Sequence, residues 1–251
     1  MSIRTKINKM SLIVRKPKLL KPNAKYIFML SHMRSRSSLL SHILGSNEQI
    51  CGYSELHYSY PKKSSLLKMH VELYQDLRCD FDDKYLFDKL LHNSMLLSDE
   101  VVRYTSPKLI FLLREPESTV KSIINMGDLT GEDGYKNQHI AFDYYINRLK
   151  MLMEYAKNND GVFFVDSDEL VDKPEDVLVK LSSWLSLEKP LSQNYSIFNR
   201  TGATGAGDPS KNIKEGKIIQ TKKHDNVELD KELLLKASDI YTNFKNHMVN
   251  K

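Results

Sequence analysis

Two guanidinium groups and three hydroxyls stand in five consecutive residues, Arg34-Ser35-Arg36-Ser37-Ser38. Those groups donate hydrogen bonds, and arginine does so with a permanent charge, so their shared chemistry is the binding of anions. The flanking residues say how the donors are presented. Tyr26-Ile27-Phe28-Met29-Leu30-Ser31 before them is apolar and β-prone, and Leu39, Leu40, Ile43 and Leu44 after them recur at helical spacing. Strand, tight loop and helix N-terminus follow in that order. Such a junction turns backbone N–H groups and the positive end of a helix dipole toward a ligand. A serine there is also the residue expected to cap a helix. A second candidate is Arg114, which ends the continuous apolar run Lys108 to Leu113, with Ser122 eight residues further on.

The remaining elements must position these groups. Residues 108–113 and 162–165 read as strands buried on both faces, because they are apolar without alternation. The pattern predicts helices over about 36–46, 63–78, 83–93, 116–126, 138–158, 174–184 and 228–247, a short β-like piece after Ile50, and a short strand over 94–98. Pro116 suits the first position of its helix, and Gly45-Ser46-Asn47 suits the end of the first helix. Residues 127–137 and 188–222 read as loops. Strands alternate with helices, which predicts an α/β single domain with a parallel sheet flanked by helices. Residues 1–25 form a basic lead-in, broken by Pro17 and Pro22, and residues 26–251 form the domain. Ligands bind at the carboxyl ends of strands in such sheets, here at Ser31/His32, Arg114 and Asp166/Ser167.

Bulk properties narrow the class. The 251 residues are 41% hydrophobic and 27% charged, an ordinary globular balance with ample core. A formal charge of +5 fits a small polyanionic ligand and calls for no nucleic-acid partner. No apolar run has the length of a membrane span. Cys51 and Cys79, the only cysteines, form neither a CxxC pair nor a cysteine–histidine metal cluster. The expectation is therefore no disulfide scaffold, a reducing compartment and a cytoplasmic protein.

An ATP- or GTP-using phosphate loop requires GxxxxGK[ST]. The loop at 34–38 has no glycine and no lysine, and the strand at 108–113 ends in Arg114 rather than in a magnesium-binding acid. What it resembles is the phosphosulfate loop of sulfotransferases that use 3′-phosphoadenosine 5′-phosphosulfate (PAPS), in particular the carbohydrate and bacterial type. Arg34 to Leu40 is similar to that family's 5′-phosphosulfate loop, a basic residue followed by Ser-Gly-Ser/Thr-Ser/Thr. Leu112 to Ser122 is similar to its 3′-phosphate segment, an arginine at a strand end with a serine eight residues on. Asp166 to Pro174 is similar to its acidic-Leu-x-x-x-Pro strand exit.

The resemblance implies a sulfotransferase fold of the P-loop-kinase type and PAPS as co-substrate, with no metal. It implies that Arg34, Ser35, Arg36, Ser37, Ser38 and Leu39 hold the phosphosulfate and that Arg114 and Ser122 hold the 3′-phosphate. Lys211, Lys214 and Gly216 would close over the nucleotide. Gly52-x-Ser54-Glu55-x-His57 is similar to the version of the family in which a glutamate is the base, making Glu55 the first candidate and His57 the second. Arg34 then acts electrostatically, since arginine does not release its proton. Arg36 departs from the pattern, standing where glycine is usual; it is expected to point outward or to give the loop another trajectory. The acceptor is expected to be a carbohydrate or another small polar molecule, lined by Tyr58 to Tyr74 and by residues 127–139. A non-catalytic PAPS-binding protein and a nucleotide kinase are the alternatives. The oligomeric state is not readable.

Overall fold

The structure is a computed structural model in which residues 11–131, 133–202, 211–220 and 227–251 are described. Five parallel strands run in the order β2-β3-β1-β4-β5: β1 Lys25–Ser31, β2 Ile50–Cys51, β3 Tyr85–Leu90, β4 Lys108–Leu113 and β5 Phe163–Asp166. The helices are α1 Ser37–Gly45, α2 Leu66–Leu77, α3 Asp99–Thr105, α4 Pro116–Thr130, α5 Asp133–Lys136, α6 Gln138–Asn158, α7 Glu169–Asp172, α8 Pro174–Leu185 and α9 Lys231–Val249. The expected α/β domain with a helix-flanked parallel sheet is the one observed.

The continuous apolar strands serve two cores at once, because successive side chains leave a strand on opposite faces. Tyr26, Phe28 and Leu30 of β1 join Leu109, Phe111 and Leu113 of β4 on one face. There α2, α4, α6 and α9 cover them, with Met69, Val120, Phe142, Leu149 and Phe244 among the buried residues. Ile27 and Met29 join Ile110 and Leu112 on the other face, beneath Leu40, Ile43 and Leu44 of α1 and Leu178, Leu181 and Leu185 of α8. Leu19 of the lead-in is buried in the first core.

Several expectations are corrected. Residues 83–93 are not helical: their centre is strand β3, pairing with β1 from Lys25↔Tyr85 to Leu30↔Leu90. Asp88 and Lys89 break the apolar run and imitate the polar face of a helix, yet both are buried. Residues 94–98 supply only one bridge, Tyr60↔Leu97, and α3 follows at 99 where no helix is expected. The loop expected at 127–137 is largely helical. Helix α4 runs on to Thr130, is closed by Gly131 at φ 75°, and α5 comes next. Cys51 and Cys79 are joined in a disulfide, 28 residues apart in sequence. That bond removes the ground for expecting a reducing compartment. Among the described residues, no helix is long and apolar enough to cross a membrane.

Candidate active site at the carboxyl edge of the sheet

The loop between β1 and α1 is shaped by two arginines in the left-handed region, Arg34 at φ 60° and Arg36 at φ 64°. Non-glycine residues adopt that conformation at a cost of roughly 1–2 kcal/mol each. Arg36 thus takes the backbone shape that glycine would supply, and it occupies the N-cap of α1. Its side chain does not point outward. Nη1 donates to the Ser167 carbonyl at 2.8 Å, to Ser167 Oγ at 3.2 Å and to Asp168 Oδ1 at 2.5 Å. The loop is thereby latched to the exit of β5. The arginine combines a glycine-like backbone conformation with a side-chain tether.

Arg34 and Ser122 are brought together: Arg34 Nε donates to Ser122 Oγ at 2.9 Å. Arg114 lies alongside, its Nη1 donating to the Arg34 carbonyl at 3.3 Å. Glu115 does not neutralise it by a direct contact, because the Glu115 carboxylate caps α4, accepting from Glu117 N–H at 2.8 Å and Ser118 N–H at 2.7 Å. Burial, and then the nearby Arg36 charge, pull the Arg114 pKa down to about 10, against the opposing pull of Asp168 and Glu115; Arg34 lowers it further. Arg114 Nε is buried without a hydrogen bond. Three guanidinium groups thus gather at the carboxyl edge of the sheet, one with a buried donor unused, and concentrate positive charge there.

The serines divide. Ser35 is buried and its hydroxyl donates to the His32 carbonyl at 2.8 Å, while Ser31 Oγ lies 2.7 Å from Ser35 Oγ. Ser35 therefore braces the loop with its side chain. Ser37 and Ser38 are the first residues of α1, and Leu39 follows them. Ser38 Oγ accepts from Lys89 Nζ at 3.2 Å. Lys89 is a fully buried lysine at the end of β3, on the α1 side of the sheet. Reading β3 as a helix hides it; the signal in the sequence is a lysine beside an aspartate inside the otherwise apolar Tyr85 to Leu91.

Behind the loop, α6 pegs the strand ends. Arg148, fully buried, donates from Nε to the Ser31 carbonyl at 2.7 Å, from Nη1 to the His92 carbonyl at 3.0 Å, and from Nη2 to the Leu90 carbonyl. Tyr144 accepts from Met33 N–H and donates to the Leu91 carbonyl, both at 2.7 Å, and Tyr145 donates to the Arg114 carbonyl at 2.8 Å. His32 links β1 to β4, with Nδ1 at 2.9 Å from the Met33 carbonyl and Nε2 accepting from Arg114 N–H at 3.1 Å. Burial holds the His32 pKa down at about 3, so it is a neutral Nδ1–H tautomer.

Glu55 and His57 lie on the segment leaving β2. Gly52, at φ 134°, lets that segment pass β3 so closely that a Cβ would sit 2.3 Å from the Phe87 carbonyl oxygen. Asp88 then holds it: Oδ1 accepts from Leu56 N–H at 3.0 Å, and Oδ2 accepts from the Tyr60 hydroxyl at 2.5 Å. Glu55 is buried. His57 Nδ1 approaches Glu55 Oε1 to 3.3 Å, and His92 Nε2 approaches it to 3.6 Å. Sequence reasoning missed His92, which the correct strand β3 brings beside the two expected residues.

Lys214 and Gly216 are placed against residues 194–202. A Cβ on Gly202 would lie 2.5 Å from Lys214 Cε, and the Gly216 carbonyl accepts from Tyr195 N–H at 2.8 Å. His42 of α1 ties this segment in through Thr201 Oγ1 at 2.9 Å. Lys211 opens the short helical turn Lys211–Glu215, but its side chain lies outside the described residues, as do Gly207, Asp208, Pro209 and Ser210.

The fold has counterparts among solved structures. The sulfotransferase domain from the curacin biosynthetic pathway superposes with a TM-score of 0.62 at 16% identity, over 88% of this chain and 98% of that domain. The sulfotransferase domain from the Synechococcus PCC 7002 olefin synthase gives 0.62 at 18% identity, over 89% and 95%. A sulfotransferase from Mycobacterium tuberculosis H37Rv gives 0.54 at 12% identity, over 92% and 80%. The fold is the sulfotransferase fold. No protein-family model and no curated protein matches the chain. Within the sulfotransferase fold, the arginine cradle sits where the loops leave β1, β4 and β5, and the Glu55 segment where β2 and β3 end.

Proposed function

We propose that the protein is a PAPS-dependent sulfotransferase acting on a hydroxyl or amine of a carbohydrate or other small polar acceptor. The observation that carries this reading is the convergence of Arg34, Arg36, Arg114 and Ser122 at one edge of a parallel sheet. A donor with a 5′-phosphosulfate and a separate 3′-phosphate has two anionic groups to match it. Arg114 and Ser122 take the 3′-phosphate, and the buried Arg114 Nε supplies a donor that has no other partner. The first turn of α1, with Ser37 and Ser38, takes the phosphosulfate oxygens, and Lys89 behind Ser38 adds positive charge there. Lys211, Lys214 and Gly216 cover the nucleotide from the segment beyond Gly202.

In the transfer, the acceptor oxygen bonds to sulfur as the bond from sulfur to the bridging phosphate oxygen breaks. Arg34 stabilises the charge that develops on the departing phosphate. Glu55 takes the acceptor's proton, with His57 beside it. Turnover is tested by incubating the protein with PAPS carrying radiolabelled sulfate and a panel of glycans, phenols and lipids. Label appearing in an acceptor, with equimolar 3′-phosphoadenosine 5′-phosphate, supports the reading. Tight nucleotide binding with no label transferred to any acceptor favours a binding protein that has lost turnover.

A further inference from the structure

Glu55 Oε1 is buried and makes no hydrogen bond. Two imidazole nitrogens face it, His57 Nδ1 at 3.3 Å and His92 Nε2 at 3.6 Å, without hydrogen-bonding to it. A buried carboxylate oxygen in that state is unfavourable unless something positive completes it. The cation that takes lone pairs from two imidazoles and a carboxylate is a divalent transition metal.

The distances agree. Zinc bonds of about 2.0–2.2 Å arranged tetrahedrally place neighbouring ligand atoms roughly 3.3–3.5 Å apart. The three candidate atoms lie within 4.8 Å of one another, and two of their separations are near that range. Their supports are in place as well. Asp88 grips Leu56 N–H, between Glu55 and His57, and Arg148 grips the His92 carbonyl. We propose that Glu55, His57 and His92 form a site for a zinc-class divalent metal ion, with its fourth position open on the exposed side of His57.

Binding rests on this geometry alone. One consequence rests on the reading of Glu55 as the base: the metal engages both candidate bases, so the loaded enzyme loses transfer activity. The test uses the full chain, free of any purification tag and stripped with a chelator, titrated with cobalt(II) and then zinc(II). The expected result is one cobalt per chain with the strong visible absorption of tetrahedral coordination, displaced by zinc and not by magnesium. His57→Ala, at an exposed position, and His92→Gln should each weaken zinc binding by more than about 100-fold, beyond the loss of an outer-shell partner. Thermal unfolding of the metal-free variants checks that they are folded. Absence of the tetrahedral spectrum, or a spectrum and stoichiometry unchanged in both variants, overturns the site. Stoichiometric zinc binding with undiminished sulfuryl transfer keeps the site and removes Glu55 as the base.

Discussion

Replacing Asp88 by asparagine probes the strut under the Glu55 segment. Asp88 is fully buried, and its Oδ1 accepts from Leu56 N–H at 3.0 Å and Lys89 N–H at 2.8 Å. Burial pushes its pKa up to about 7, and the charge of Glu55 adds to the rise while the three hydrogen bonds oppose it. In the unfolded chain the value is about 3.9. The folded protein therefore holds a proton on Asp88 between these values, where the unfolded chain has released it. With the folded pKa raised, the stability from this group is full below about pH 4 and is lost as the pH climbs through about 7. A shift of about three units corresponds to on the order of 4 kcal/mol in total, and to roughly 2–3 kcal/mol between pH 5 and pH 8. Asparagine has the shape of the protonated acid. Its oxygen keeps the two backbone donors, and its amide donates to the Tyr60 hydroxyl as the Oδ2–H of the protonated acid does, the reverse of the bond Tyr60 makes to the carboxylate. Urea unfolding at pH 5 and pH 8 should show the wild type losing roughly 2–3 kcal/mol more than Asp88→Asn, since every other titrating group is common to both. Parallel pH dependence in the two proteins would refute the reasoning, because it would mean that Asp88 is ionised in the fold at pH 5.

Substitutions at three positions address the cleft. Arg34→Ala should lower sulfuryl transfer by at least about 100-fold, while Arg34→Lys retains part of the rate; steady-state kinetics with an established acceptor decide it. Glu55→Gln should remove the acidic limb of the pH–rate profile along with most of the rate, and an unchanged profile would pass the proton to His57. Arg36→Gly relieves a left-handed arginine but loses the partly exposed contacts to Ser167 and Asp168. These terms nearly cancel, so the melting temperature of the free protein should move by only a few degrees while stabilisation by 3′-phosphoadenosine 5′-phosphate falls.

Legibility in the sequence followed burial. Strands β1, β4 and β5 lie inside the sheet or carry core residues on both faces, and their apolar runs announce them. β3 is an interior strand like β1, yet Asp88 and Lys89 sit near its end, each with a buried partner: Tyr60 on one face, Ser38 on the other. Pattern reading has no way to know that a buried acid is matched by a tyrosine 28 residues earlier. Misreading β3 then concealed Lys89 and His92, which reach the cleft only because the strand is straight and parallel to β1. The strand, loop and helix from 25 to 45 were legible because the signal is local: an apolar run, a stretch of polar residues, then leucines and an isoleucine at helical spacing. The left-handed conformation of Arg36 was not legible. It depends on Ser167 and Asp168, some 130 residues away, holding the guanidinium in place. The Cys51–Cys79 bond was equally hidden, since only the packing of α2 against the sheet brings the two residues together.

The central claim is that the arginine cradle holds a nucleotide with two separated anionic groups, and calorimetric titration tests it most directly. The account predicts one molecule of 3′-phosphoadenosine 5′-phosphate bound per chain, without magnesium. Affinity should drop about 10–100-fold for adenosine 5′-phosphate, which lacks the group assigned to Arg114 and Ser122, and similarly for the full ligand with Arg114→Met. Equal affinity for the two nucleotides, or tighter binding of magnesium–ATP than of the 3′-phosphorylated ligand, would contradict it.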